Sequence, residues 1–320
     1  MTVPKFDVVC IGLATQDTIA LVPEYPSADG RVQALDVRRA GGGPSATAAV
    51  ALARLGRRVA FVGAVGDDGV GEAIRTSLAD EGVNVDDLTM VAGARSPESL
   101  ILVGTDSASR SISAYSGTAG PPRLSSSALA RCAAAGWLHV DHVGYLLAKA
   151  LVSRPPRAEA GARSQSLPGL SVDGGNPIAD LDLRGVDLYA PTEDALRGRY
   201  GGLSLDAALR AALDDGAATV VATLGGNGAR AMSPGAEPFT VPSHKTPLTS
   251  TLGAGDVFHG ALLAGLLEVR SLAGAIRRAN VAAAMSCAGL DGRSAMPTRA
   301  ELDDACAAIV DARAAHSALA

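Results

Sequence analysis

The chain alternates between two kinds of segment, and that alternation limits its folds more than anything else in the 320 residues. Short runs that are apolar at nearly every position stand between longer segments with helical spacing. The series opens with residues 6–12 and continues with VAFVGAVG (Val59–Gly66), WLHVDHV (137–143), LSVDGG (170–175), VDLYAP (186–191) and TVVATLGG (219–226). A strand apolar at successive positions has to be covered on both faces. Helical stretches at 46–56, 71–81, 253–268, 271–290 and 298–313 supply the covering, and Gly56 and Gly82 stop the first two. Strands and helices in regular succession imply a parallel sheet sandwiched between helices. No internal repeat interrupts the series.

Two segments depart from this pattern. RVQALDV (31–37) alternates apolar and polar residues, as do SLILVGT and RSISAYS around the polar turn 106–109. Alternation means one dry and one wet face, so these segments read as a small β-sheet lid, built from about 13–40 and 97–118, on a single domain spanning 1–320. Residues 153–169 are rich in Pro, Ser and Arg and read as an irregular helix and loop.

Several function classes are disfavoured. Spanning a membrane takes ~18 uncharged apolar residues, and the richest runs are broken by Arg54 and His259. Asp7 precedes the first apolar run, which argues against a signal peptide and for a cytoplasmic protein. A net charge of -5 and only ten aromatic residues argue against a nucleic-acid partner. Cys10, Cys132, Cys287 and Cys306 form no C-x-x-C pair, so neither a zinc site nor a disulfide framework is expected.

The chemistry concentrates in STLGAGDVFHGALLAGLLE (Ser250–Glu268). Gly253, Ala254 and Gly255 stand just before a strongly apolar helix. Small residues let a ligand approach the backbone, and the free N–H groups of a helix start attract an anion such as phosphate. Asp256 is out of place there, because a carboxylate repels an anion unless it binds a metal or moves a proton; its alternative is a plain helix N-cap. ATLGGNGARA (222–231) is a second glycine cluster, able to cradle phosphate or to make a hairpin turn. GGGPS (41–45) is a third, ahead of a helix. No G-x-x-x-x-G-K-[ST] occurs, and no G-x-G-x-x-G follows the first strand, which disfavours a Walker-type NTPase and a dinucleotide-dependent oxidoreductase.

With four motifs in this order the chain resembles the ribokinase/PfkB family of ATP-dependent carbohydrate kinases along essentially its whole length. GGGPSATAAVALARLG (41–56) is similar to the N-terminal signature, VGAVGDDGVG (62–71) to the V-G-x-D-x-x-G after it, TLGGNG (223–228) to the nucleotide loop, and STLGAGDVFHG (250–260) to the C-terminal D-T-x-G-A-G-D signature. The strings look closest to sulfofructose kinases and ketose kinases. The resemblance implies a ribokinase-like α/β fold with a β-sheet lid and homodimers paired through the lids. It makes Asp256 the general base and the 253–255 amides the anion hole. It places Asp17, Gly42, Gly43 and Thr47 at the sugar, and Thr223, Gly225, Gly226, Gly228, Thr251 and Asn280 at ATP. Arg31, for a substrate anion, Asp141 and His142 are further candidates for the sugar, with a solvated lid residue as the alternative for Arg31 and an ordinary strand-end residue for His142.

This sequence departs from the family at three points. Thr47 stands where Asn is usual, Ser250 replaces the Asp that helps bind a monovalent cation, and N-x-x-E appears as Thr192-Glu193-Asp194-Ala195. Potassium activation is therefore not expected. Magnesium is, because it accompanies ATP, with Glu193 or Asp194 near it, through water. A kinase for a ketohexose-like sugar is the favoured reading. Another sugar or nucleoside, or a catalytically silent binding relative, are the alternatives.

Overall fold

In chain order the first strands are β1 (Val8–Ile11), β2 (Thr15–Val22), β3 (Asp36–Gly42), β4 (Val59–Gly66), β5 (Asn84–Val91), β6 (Glu98–Gly104) and β7 (Arg110–Tyr115). Then come β8 (Trp137–Val140), β9 (Gly169–Gly174), β10 (Leu188–Pro191), β11 (Val220–Thr223), β12 (Ala229–Met232) and β13 (Phe239–Val241). The helices are α1 (Pro44–Arg54), α2 (Gly69–Asp80), α3 (Ser126–Ala134), α4 (Tyr145–Leu151), α5 (Glu193–Arg199), α6 (Leu205–Asp214), α7 (Ala254–Glu268), α8 (Leu272–Ser286) and α9 (Arg299–Ala318). This computed structural model describes residues 5–105, 109–152, 167–268 and 271–318.

The strands form two sheets. The larger has nine strands in the order β13-β12-β11-β10-β9-β8-β1-β4-β5, parallel from β11 to β5 and antiparallel at β12 and β13. β1 shows why continuous apolar runs build it. Val8 and Cys10 enter one core with α1, α7 and α8; Val9 and Ile11 enter the other with α3, α4 and α6. The smaller sheet, β3-β2-β6-β7, has β2 parallel to β6 and its other pairs antiparallel. One of its faces carries Asp17, Ile19, Ser99 and Ile101, all buried; the other presents Val37 and Leu100, which are 60% and 65% exposed.

The structure corrects the strand expected at 31–37. The ladder with β2 runs from Thr15↔Gly42 to Leu21↔Asp36, so the strand occupies Asp36–Gly42 and residues 31–35 remain in the loop before it. The residues of β5, with adjacent Asp86 and Asp87, hid a strand in a polar pattern. Asp87 is nonetheless buried, held by the Arg131 guanidinium at 2.8 Å. β12 and β13 were also unforeseen. The tip of the expected turn at 106–109 and nearly all of 153–169 fall on residues 106–108 and 153–166, outside the described residues.

Both glycine loops that precede helices reach one rim of the large sheet because α1 and α7 pack closely together. Their contact is lined with small residues: a Cβ on Gly260 would stand 2.5 Å from the Ala48 carbonyl oxygen and 2.7 Å from the Ala51 methyl. Backbone cannot retreat from such a contact without moving a helix. Gly260→Ala should therefore destabilise the protein by about 1–3 kcal/mol through overpacking, read as a lower urea midpoint, although Ala is the better helix former.

Candidate active site

The loop before α7 lies along the chain that follows α8. The Thr249 and Ser250 N–H groups donate to the Cys287 carbonyl at 2.8 and 3.2 Å. Gly253 has φ 71°, and a Cβ there would meet the Gly292 Cα at 2.8 Å. Two glycine backbones thus cross in contact, and only glycine meets both the conformation and the space. Past the crossing, the Ala254 N–H reaches the Thr251 carbonyl at a long 3.4 Å, and Val257 N–H closes the first turn on Gly253 at 2.9 Å. Among the described residues no acceptor meets the N–H of Gly253, Gly255 or Asp256. A Cβ on Gly255 would touch nothing within 4 Å, so the approach to these amides is open.

The Asp256 carboxyl, half-buried beside these amides, is pushed up to about 7. Shielding from water is the largest cause, and the Asp173 charge is the next. His259 and Arg110 oppose the shift, and Asp141 adds to it. Arg110 comes from the lid: its Nη1 donates to the Thr251 hydroxyl at 2.9 Å, a contact between β7 and the loop ahead of α7.

A second, buried carboxylate stands on β2. Asp17 is 8% exposed, accepts the Thr15 hydroxyl at 2.8 Å, and has its pKa raised by burial while Thr15 and Ser99 hold its charged form. A Cβ on Gly42 would lie 2.1 Å from Asp17 Oδ2, and one on Gly43 2.4 Å from the Leu13 carbonyl oxygen. Gly42 therefore brings bare backbone against the carboxylate, while Gly43 lies on the chain that follows β1. Behind them Arg293, 6% exposed, donates to the Gly42 carbonyl at 3.1 Å. Thr47 is buried in the first turn of α1. Arg31 is exposed in the loop ahead of β3 and makes no hydrogen bond or ion pair among the described residues.

Thr223 closes β11, and Gly225, Gly226 and Gly228 form the turn into β12. Leu224 N–H donates to the Gly228 carbonyl at 2.8 Å, while a Cβ on Gly226 would meet nothing within 4 Å. The cluster is thus a hairpin turn with an open glycine face.

Three residues expected to touch ligand are used otherwise. Asp141 is 1% exposed; Oδ2 accepts Leu13 and Ser45 N–H at 2.8 and 3.2 Å, and Oδ1 accepts Val143 and Gly144 N–H at 2.9 and 3.1 Å. It clamps the loop after β1 to the start of α1, which leaves it no free lone pair for a sugar hydroxyl. Asn280 gives its amide hydrogens to the Val241 and Pro242 carbonyls at 3.0 and 3.1 Å, holding the chain after β13 against α8. Glu193 pairs with Arg197 one turn on, at 3.3 Å. His142 keeps a buried Nδ1 without a partner. Among the described residues no group of three His, Cys, Asp or Glu is placed to hold a metal ion. Magnesium carried by a nucleotide needs only one or two protein carboxylates, and exposed Asp194 in the first turn of α5 fits that limited demand.

Open amides with an acid beside them, and a second, buried carboxylate packed against glycine, are groups that phosphoryl transfer to an alcohol can use. Residues 5–299 match the pfkB family of carbohydrate kinases. The chain belongs to that family. It is 27% identical over 296 residues to a ribokinase of Haemophilus influenzae, covering 91% of this chain and 95% of that protein. It is 25% identical over 303 residues to ketohexokinase of Mus musculus, covering 89% and 97%. Among solved structures, a putative ribokinase from Agrobacterium tumefaciens superposes with TM-score 0.82 at 25% identity, over 96% of this chain and 99% of that one. The fold is the ribokinase-like α/β fold with its small sheet as lid, and the protein is an ATP-dependent carbohydrate kinase. No helix among the described residues is long and apolar enough to cross a membrane.

For this kinase, sequence reading missed Arg110, Asp173, His259 and Arg293. Arg110 carried a faint signal: strand alternation sets it on the face of β7 that turns toward Val103 and Ile101. The other three are brought together only by the fold.

The raised pKa of Asp256 bears on stability. A carboxyl protonated more readily when folded than when unfolded loses stability as pH climbs from its unfolded value, near 4, to its folded value. Asp256→Asn removes that loss. The variant should melt higher than wild type at pH 8 and no higher at pH 4, measured by differential scanning calorimetry.

Proposed function

We propose that this kinase transfers the γ-phosphate of MgATP to a primary hydroxyl of a ketohexose-like sugar, with Asp256 as general base. The observation that carries the reading is the pairing of the unoccupied Gly253, Gly255 and Asp256 amides with a carboxyl whose pKa lies near 7. A base with that pKa is half ionised at neutral pH, where general-base catalysis is most effective. It takes the hydroxyl proton as the oxygen attacks phosphorus. The amides receive the charge of the transferring phosphoryl group, and positioning supplies most of the rest. Asp17, with Gly42 and Gly43, suits a polyol, since a carboxylate accepts hydrogen bonds from more than one hydroxyl.

The open glycine face at Gly225 and Gly226 suits the nucleotide, and Thr223 and Thr251 are the hydroxyls assigned to it. Magnesium enters with ATP as part of the substrate, and Asp194 is the residue free to approach it. The similarity to ribokinases and to a ketohexokinase supports a furanose-type acceptor. The lid excludes water and restrains wasteful hydrolysis of ATP.

An ADP-release assay over ribose, fructose, anionic ketoses and nucleosides, run against pH, tests the reading. One ketose should support turnover and nucleosides should not. The acid limb of kcat/KM should fall as pH drops through about 7, as Asp256 takes up a proton. Asp256→Asn should fold and lose roughly 10²–10⁴-fold in kcat. Undiminished turnover in that variant removes the base assignment.

The reading includes a homodimer in which the wet faces of two lids pair. Exposed Val37 and Leu100 on one sheet face support it, because an open apolar sheet surface favours self-association. Leu100→Glu should convert a dimer to a monomer in light scattering; a monomeric wild type would overturn the pairing.

A further inference from the structure

Behind Asp256 the protein buries a polar group that phosphoryl transfer, as described, does not use. Asp173 at the end of β9 is 4% exposed, His259 on α7 5%, and His139 on β8 is fully buried. His259 Nε2 stands 3.3 Å from Asp173 Oδ1, which also accepts the Gly175 N–H at 2.8 Å. The His139 ring lies 5.7 Å from that of His259 and places Nδ1 3.1 Å from the Ser171 hydroxyl. His259 Nδ1 and His139 Nε2 have no partner among the described residues. His259 is three residues beyond Asp256 on one helix, so both side chains share a face.

Burying a carboxylate without a counter-charge is costly. We infer that Asp173 and His259 form a buried ion pair, carboxylate with imidazolium, whose cancelled charge lets Asp256 ionise at neutral pH. The electrostatics agree with the geometry. Burial alone would raise Asp173, but the His259 charge and contact outweigh it and bring the acid down to about 2. Burial alone would lower His259, and Asp173 outweighs that. His139 is pushed down to about 3 by burial and by the neighbouring His259 charge, so it stays neutral.

The other charges that act on Asp256 are held elsewhere: Arg110 on Thr251, Asp141 by four amides, Arg293 on Gly42. His259 is thus a positioning residue that acts through Asp173 on the base, and its role rests on the reading of Asp256 given above.

The pair makes a pattern of outcomes that simple loss of packing would not. His259→Asn unmasks the Asp173 charge, so the acid limb of kcat/KM should move up by about one pH unit or more. Asp173→Asn leaves no charge on either partner, because an unpaired buried imidazole goes neutral, and the limb should stay near its wild-type position. The double variant should also restore it. A limb unmoved in His259→Asn, or still displaced in the double variant, overturns the inference. The wild-type protein gives a test that needs no variant to fold. In nitrogen-15 spectra of the five histidines, the His259 ring should remain an imidazolium at pH 8, where exposed histidines are neutral. A neutral ring there sinks the ion pair. If Asp256→Asn keeps full activity, the base assignment fails instead, and the imidazole spectrum still decides the pair.

Discussion

The site depends on two backbones crossing without side chains between them. Gly253 and Gly292 touch where α7 begins, and the Gly253, Gly255 and Asp256 amides beside that contact stay open. An unpaired N–H group costs stability if it is sealed from water, so it persists where the chain meets solvent or a ligand. The conformation at Gly253 belongs to glycine, and the space belongs to a residue with no Cβ. The phosphate contact proposed for these amides falls to backbone because no side chain fits at the crossing.

A carboxylate next to an anion site is held in check by its surroundings. Asp256 has acids and cations on different elements around it: Asp173 and Asp141 at strand ends, His259 on its own helix, Arg110 on the lid. Their sum brings its pKa near neutrality, which suits the proton transfer proposed for it. Asp141 has a second effect through its four amide hydrogen bonds. It fastens the loop after β1, on which Gly43 packs, to the start of α1, next to Gly42 and Asp17. Charge and close packing by small residues therefore act together, and the α1–α7 contact at Gly260 brings both loops to one rim.

Much of this was legible in the sequence. Strands covered on both faces show as continuous apolar runs, and Val59–Gly66 has the same bounds in sequence and structure. Helices with glycine stops are equally plain, and the glycine motifs in order pointed to the family and to Asp256. The misses have a common cause. β5 carries two adjacent acids, one of them drawn into the interior by Arg131, so its pattern looked polar. The strand expected at 31–37 lies further along because its partner β2 sets the register. Asp141 and Asn280 had the right chemistry for a ligand and were taken up by backbone partners, Leu13 and Ser45 for the acid and Val241 and Pro242 for the amide being distant in sequence.

The sequence alone determined the layering, the placing of glycines where backbone must come close, and the acid at the mouth of the late helix. These are local matters of hydrophobic period and of steric freedom at single residues. Tertiary structure decided which polar groups remained free to act. Asp173, His259 and His139 lie on separate strands and a helix, and Arg110 on a lid strand far from Thr251 in the chain. Charge interactions act through space between such groups, and burial strengthens them, so their effect on Asp256 exists only once the sheet has brought them together.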